Sequence, residues 1–302
     1  MKKSKSNQSI QDLNLLDSYL FGEVTEIPEN AEYIAKIIIE RTLGYKIKKI
    51  SVMPEKQLAG VDASRHGIRM DLCIMEYEED NVAGVYDIEP NRYKIKELLR
   101  RSRYSQALTD SKLLSAGERY MELPDYVSIW ILSEDPFGLN RAVYTVRSKV
   151  EEVPDASFDD GVTKVFLYAY GEEGGSEALR SLLRYFVDSD ASNATDKELK
   201  EVHKIVTGIR SDAMKGEKYM TLHDMIEFEK EESFDEGYEE GVSVGEARGI
   251  AQGIETGIMQ SVVIYIDSMR EFHIQEEDIL DSVMRKFDIP KEKAMEMMAC
   301  NL

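Results

Sequence analysis

Ile68-Arg69-Met70-Asp71-Leu72-Cys73-Ile74-Met75 and Val85-Tyr86-Asp87-Ile88-Glu89-Pro90-Asn91 are the two stretches that decide how this chain reads. Both are short apolar runs of strand character, and each carries a carboxylate where a buried strand avoids one. An unpaired buried carboxylate is costly, so it finds a metal ion, a cation or a mouth to solvent. Asp71 and Glu89 stand eighteen residues apart. On adjacent strands they are placed to share one divalent ion, and oxygen-only ligation suits Mg2+ or Mn2+ rather than zinc. Two edge-strand acids facing water fit the same spacing.

Outward from this pair, residues 11–43 read as helical, with Pro28-Glu29-Asn30 as a turn or helix start. Lys46 to Val52 makes a first strand, and Asp62 to Gly67 is a polar connection to the acid-bearing strands. Residues 92–115 form a helix with Ile95, Leu98, Leu99, Tyr104, Ala107 and Leu108 along its inner face. Tyr126 to Leu132 reads as a central buried strand. Val143 to Val150 and Val162 to Tyr170 supply two more strands. Periodicity alone gives an α/β or α+β fold.

After Tyr170 the strand pattern stops. Residues 176–187 and 196–212 are amphipathic helices that either cap the sheet or pair with a second subunit. Gly237, Gly241, Gly245, Gly249, Gly253 and Gly257 then recur at strict intervals of four. Six glycines oppose an isolated helix by roughly 5 kcal/mol, yet their stripe would admit another backbone closely. A flexible acidic linker or an expanded repeat fits the same segment, while close pairing predicts a homodimer. Two short helices at about 276–286 and 290–299 close the chain, with Pro290 in a first turn.

The formal net charge is −20, which argues against nucleic-acid binding, where phosphate neutralisation supplies much of the affinity. Its distribution softens the objection. Residues 216–260 carry a local −9, whereas residues 91–112 carry +5, beginning directly after Glu89. Arg92, Lys96, Arg100 and Arg103 recur at spacings of four, four and three, on one helical face suited to positioning phosphates. An ordinary solvated face paired with the acidic tail is the alternative. Cys73 and Cys300 form no metal-spaced cluster, and the four histidines are scattered, with His66 a loop residue. No apolar run approaches a membrane span and the basic N-terminus lacks a signal-peptide core, so the expectation is a cytoplasmic protein without membrane contact.

Asp71 followed by Glu89-Pro90-Asn91 resembles the Asp…Glu-x-Lys signature of the PD-(D/E)XK nuclease superfamily. The branch it is most similar to is the Rpn-like recombination-promoting nuclease and transposase-related proteins, whose third position is commonly Gln. Supporting segments are Tyr19-Leu20-Phe21-Gly22-Glu23-Val24, Arg101-Ser102-Arg103-Tyr104-Ser105-Gln106, Glu122-Leu123-Pro124, Asp135-Pro136-Phe137-Gly138 and Phe158-Asp159-Asp160-Gly161. The resemblance covers roughly residues 15–175. It implies a restriction-endonuclease-like αβββαβ core, followed here by a helical C-terminal extension.

The resemblance also implies a metal-dependent DNA endonuclease in which Asp71 and Glu89 bind Mg2+ (or Mn2+ or Ca2+) beside the scissile phosphate. Asn91 stands where the superfamily's water-orienting lysine stands, and Pro90 removes a strand donor between the two functional positions. Glu23 is a candidate further carboxylate, with Glu26 its rival, and an exposed helix acid is the alternative for either. Asp87 is a second acid of the metal site or an outer acid at the strand end; Gln106 is a phosphate-contacting or supporting amide, while Tyr104 belongs to the core. A catalytically silent interaction protein is the reading from another class. The expected division is a nuclease-like domain over 1–175, a helical cap over 176–215, an acidic glycine-striped helix over 216–272 and a helical tail over 273–302.

Overall fold

The computed structural model describes residues 9–53, 57–58, 68–91, 95–153 and 155–299. These fall into two compact units, Met1–Leu222 and His223–Leu302. The first is built on a six-stranded mixed sheet. Its strands are β1 (Lys49–Val52), β4 (Leu72–Glu78), β5 (Asn81–Asn91), β6 (Asp125–Leu132), β7 (Val143–Val146) and β8 (Val162–Tyr168), in the order β1-β4-β5-β6-β8-β7. The β1-β4-β5 meander is antiparallel, β6 runs parallel to both β5 and β8, and β7 returns antiparallel to β8. A separate two-stranded ribbon pairs β2 (Gln57–Leu58) with β3 (Ile68–Arg69).

The helices on one face are α1 (Ser18–Val24), α2 (Pro28–Leu43), α4 (Glu177–Val187) and α5 (Lys197–Ser211). Pro28 opens α2 at its first turn, and Gly44, at φ 78°, ends it in the left-handed conformation that costs glycine least. Ile34, Ile38, Leu182, Phe186, Leu199 and Val206 from these helices pack on Leu72, Ile74, Ile88, Val127, Ile129, Ile131 and Leu167 in one continuous core. Helices α4 and α5 thus share this core, packing against α1 and α2.

Helix α3 (Ile95–Leu113) covers the other face. There Leu108 meets Met70, Cys73, Val85 and Tyr126, and Leu98 meets Trp130, Leu132 and Phe166. The inner face of α3 differs from the one periodicity suggested. Leu99, Tyr104 and Ala107 are exposed, whereas Ser102, Ser105 and Thr109 are buried beside Leu98 and Leu108. Tyr104 is therefore not core. Three inward hydroxyls turn this side of the sheet polar.

The first acid-bearing strand is also corrected. It breaks at Met70-Asp71, leaving Ile68–Arg69 in the small ribbon and starting β4 at Leu72. Asp71 stands at the entrance to a strand rather than inside one. The strands expected over 46–52, 143–150 and 162–170 are shorter, beginning at Lys49 and ending at Val146 and Tyr168. The connection at 62–67, with His66, lies outside the described residues.

Helix α6 runs from Ala213 to Glu271, and the division between the units falls within it. In the second unit, Val262 and Ile266 of α6 pack with Ile279 and Val283 of α7 (Glu276–Phe287) and with Ala294 and Met298 of α8 (Lys291–Ala299). Residues 237–257 are helical, and beyond the helix's own nearby backbone a methyl group added at any of the six striped glycines would meet none of the described residues within 4 Å. Among the described residues no helix is long and apolar enough to cross a membrane.

Candidate functional site

The Asp71–Glu89 pair lies where the β4 ladder ends. The last residues paired between β4 and β5 are Leu72 and Ile88. One step beyond, the backbone N–H of Asp71 donates to Glu89 Oε1 at 3.1 Å, so the carboxylate takes a donor that the finished ladder leaves over. Pro90 follows, paired only with Ile131 of β6 in the described ladders. At that place a missing N–H costs no bond to β4, which is how a proline is accommodated in a strand two from the sheet edge.

Both residues line a cavity of about 810 Å3, together with Glu23, Arg69, Pro90, Arg101 and Lys218 among others. Asp71 and Glu89 therefore line one cleft, on one side of the sheet. Glu89 is 4% exposed. Burial, then the charges of Asp87 and Asp71, push its carboxyl well above the ordinary range, against the pull of Arg101 and the Asp71 N–H. The cation is offset: Arg101 Nη2 stands 3.5 Å from Glu89 Oε2, and its guanidinium centre lies 5.9 Å from the Trp130 ring.

Asp87 is fully buried two residues before Glu89 on the same strand face. Its Oδ2 accepts from Ser105 Oγ at 2.9 Å and from the Tyr126 hydroxyl at 2.8 Å. Oδ1 has no hydrogen-bond partner among the described residues. Burial raises the Asp87 carboxyl, although both hydroxyls and Arg101 oppose the shift. Asp87 thus sits under α3 as a supporting acid whose charge acts on Glu89, while the cavity wall itself is formed by Glu89 and Asp71.

Glu23 reaches the same cavity from α1, 6% exposed, and is held by two lysines of α6. Lys215 donates to Oε2, and Lys218 donates to Oε1 at 2.6 Å. Burial pushes Glu23 up, but these hydrogen bonds and charges outweigh it and hold the carboxyl below its ordinary value. Glu26 binds Lys215 at 2.7 Å, so the two rival acids belong to one cluster.

The predicted basic face fares differently. Arg92 and the side chains of Asn91 and Lys96 lie outside the described residues. Arg100 and Arg103 are exposed and do not line the cavity. Gln106 donates to Asp110 at 3.4 Å, one turn along α3, and is also away from the cavity. The basic residues that do line it are Arg69, Arg101 and Lys218. Arg101 was legible from helical phase, since Leu98, Arg101, Ser105 and Leu108 follow one inward stripe. Lys218 carried no local signal.

The donor set is all-oxygen, acidic and at an open cleft, which fits a hard divalent cation. Among the described residues no group of three or more His, Cys, Asp or Glu side chains is arranged to hold a metal ion, so main-chain oxygen and water would have to complete the shell. No protein-family model, curated protein or solved structure matches this chain.

Proposed function

We propose that this cleft is a divalent-metal-dependent site for hydrolysing DNA phosphodiesters, on a PD-(D/E)XK-type core similar to the Rpn-like nucleases. The observation that carries the reading is Glu89, a nearly buried carboxylate at a cleft, joined to Asp71 through a backbone donor. A buried acid with a strongly raised carboxyl at a cleft supports a functional role. Counting the main-sheet strands alone, the order α2, β1, β4, β5, α3, β6 agrees with the αβββαβ plan, with the β2–β3 ribbon as an insertion.

Asp71 and Glu89, with the Pro90 carbonyl, would hold Mg2+ or Mn2+. When bound, such an ion stabilises charge on the phosphoryl oxygens and acidifies a water. Arg101 tempers the charge of Glu89, and Asp87 keeps that carboxyl basic. Because burial leaves Glu89 inclined to protonate, cation binding displaces a proton and tightens as pH rises through its raised pKa. We further propose that the α6 glycine stripe pairs with a second copy of the chain, placing two clefts in one particle.

Plasmid cleavage compared in Mg2+, Mn2+ and Ca2+ tests the reading. Asp71→Ala and Glu89→Ala should each remove cleavage by about a thousandfold or more, in line with losing the whole charge-stabilising ion. Asn91→Lys should keep or raise it. Cleavage that survives Asp71→Ala would assign the activity to another site or a contaminant. The second reading, a silent interaction protein, is favoured by Asn91 in the lysine position and by the two-carboxylate donor set; it predicts no cleavage from the unaltered chain.

A further inference from the structure

The first turns of α6 are locked onto α1. The Tyr19 hydroxyl donates to the Lys215 carbonyl at 2.8 Å, and the Tyr19 and Tyr219 rings lie 5.1 Å apart. Tyr219 is buried in the main core. This short length of helix is therefore anchored to α1 and the core where it forms a wall of the cleft.

The two lysines on that wall are not equivalent. Lys215 lies between Glu23 and Glu26 and its side chain is 19% exposed, so its charge is spent inside the cluster. Among the described residues Lys218 bonds Glu23 Oε1 of that cluster, and its side chain is 62% exposed, over the Tyr19 ring at 6.0 Å. An ammonium has three N–H donors, and one carboxylate bond leaves capacity directed at the cavity that Lys218 lines. Across the same cavity stand Arg69 and Arg101. Cations thus border an acidic pair from the β3–α3 side and from the α6 side.

Resting on the phosphodiester reading of this cleft, we infer that Lys218 is a phosphate-binding residue on the α6 wall, and that Glu23 is a positioning residue acting through it. A DNA strand entering the cleft would be held by Arg101 on one side and Lys218 on the other, with the Asp71–Glu89 pair between the two contacts. The surface face formed by Arg100 and Arg103 would take no part.

Binding of a short fluorescent DNA duplex to the full chain without divalent ion, titrated over salt, separates these roles from cleavage. Lys218→Gln should lower the slope of log affinity against log salt by about one, and Lys218→Arg should restore it. Adding Lys218→Gln to Glu23→Gln should cost less than Lys218→Gln alone, because the two act on one contact. A normal slope in Lys218→Gln, beside a reduced one in Arg101→Gln, would overturn the inference while leaving the cleft reading standing. So would full additivity of the double variant. Failure of the unaltered chain to bind DNA would overturn both.

Discussion

Strand β5 and the glycine stretch of helix α6 each hold residues that weaken the element they belong to, and the fold treats them in opposite ways. Asp87 and Glu89 are acidic groups in a strand, and polar neighbours gather on them: Ser105, Tyr126, Arg101 and the Asp71 N–H. The α6 glycines cost roughly 1 kcal/mol each against alanine, and among the described residues nothing beyond their own stretch of helix backbone lies within 4 Å of where their Cβ atoms would be. A cost that tertiary contacts surround marks a site within the chain. A cost left bare on an exposed helix points outside the chain, which is why a second copy is proposed there.

Two adjacent residues give the largest test of this contrast. Ile88 faces the apolar core and Glu89 the polar side, one position apart. Ile88→Ala should lose about 2–5 kcal/mol in chemical denaturation, from lost burial and the cavity left behind. Glu89→Gln should instead gain on the order of 1 kcal/mol at neutral pH, as replacements of strained functional groups do. The sign with pH follows from its raised pKa. The native state holds a proton that the unfolded chain releases at the ordinary carboxylate value, so the penalty is absent below that value. It grows as pH rises from there through the raised native pKa, and the gap between variant and parent should widen over that window. Equal stability of the two proteins at every pH would mean Glu89 carries no strain and the contrast fails on the β5 side.

The α6 side is tested more gently. Sedimentation of the full chain should show a mass of two chains, falling to one when Gly245→Leu and Gly249→Leu block backbone approach. Unchanged mass would end the pairing proposal. Smallest of all, Gly249→Ala separates the cases by its sign in thermal unfolding. A bare helix gains up to about 1 kcal/mol from alanine. A stripe packed against a copy loses stability instead, which is the expected result.

Much of the architecture is legible before any coordinates. Alternation and apolar runs place β5 and β6, Pro28 and Pro290 mark helix starts, and the period-four glycines stand out unaided, because these signals are local and repeat at the spacing of the backbone itself. The Asp71–Glu89 pair is legible too, since a carboxylate in an apolar run is conspicuous wherever it falls. What composition cannot carry is long-range register. The break at Met70-Asp71 depends on where β4 stops pairing with β5, and the inward turn of α3 depends on hydroxyls whose value appears only against Asp87 and Ser128. Four basic residues at helical spacing indicated a phosphate face, yet the fold turned Arg101 into the cleft and left Arg100 and Arg103 to solvent. Lys218 meets Glu23 across 195 residues of chain. The sequence by itself determined which elements form and which residues are costly in them; the tertiary structure decided which charges meet, because an ion pair between distant segments has no period for a sequence to show.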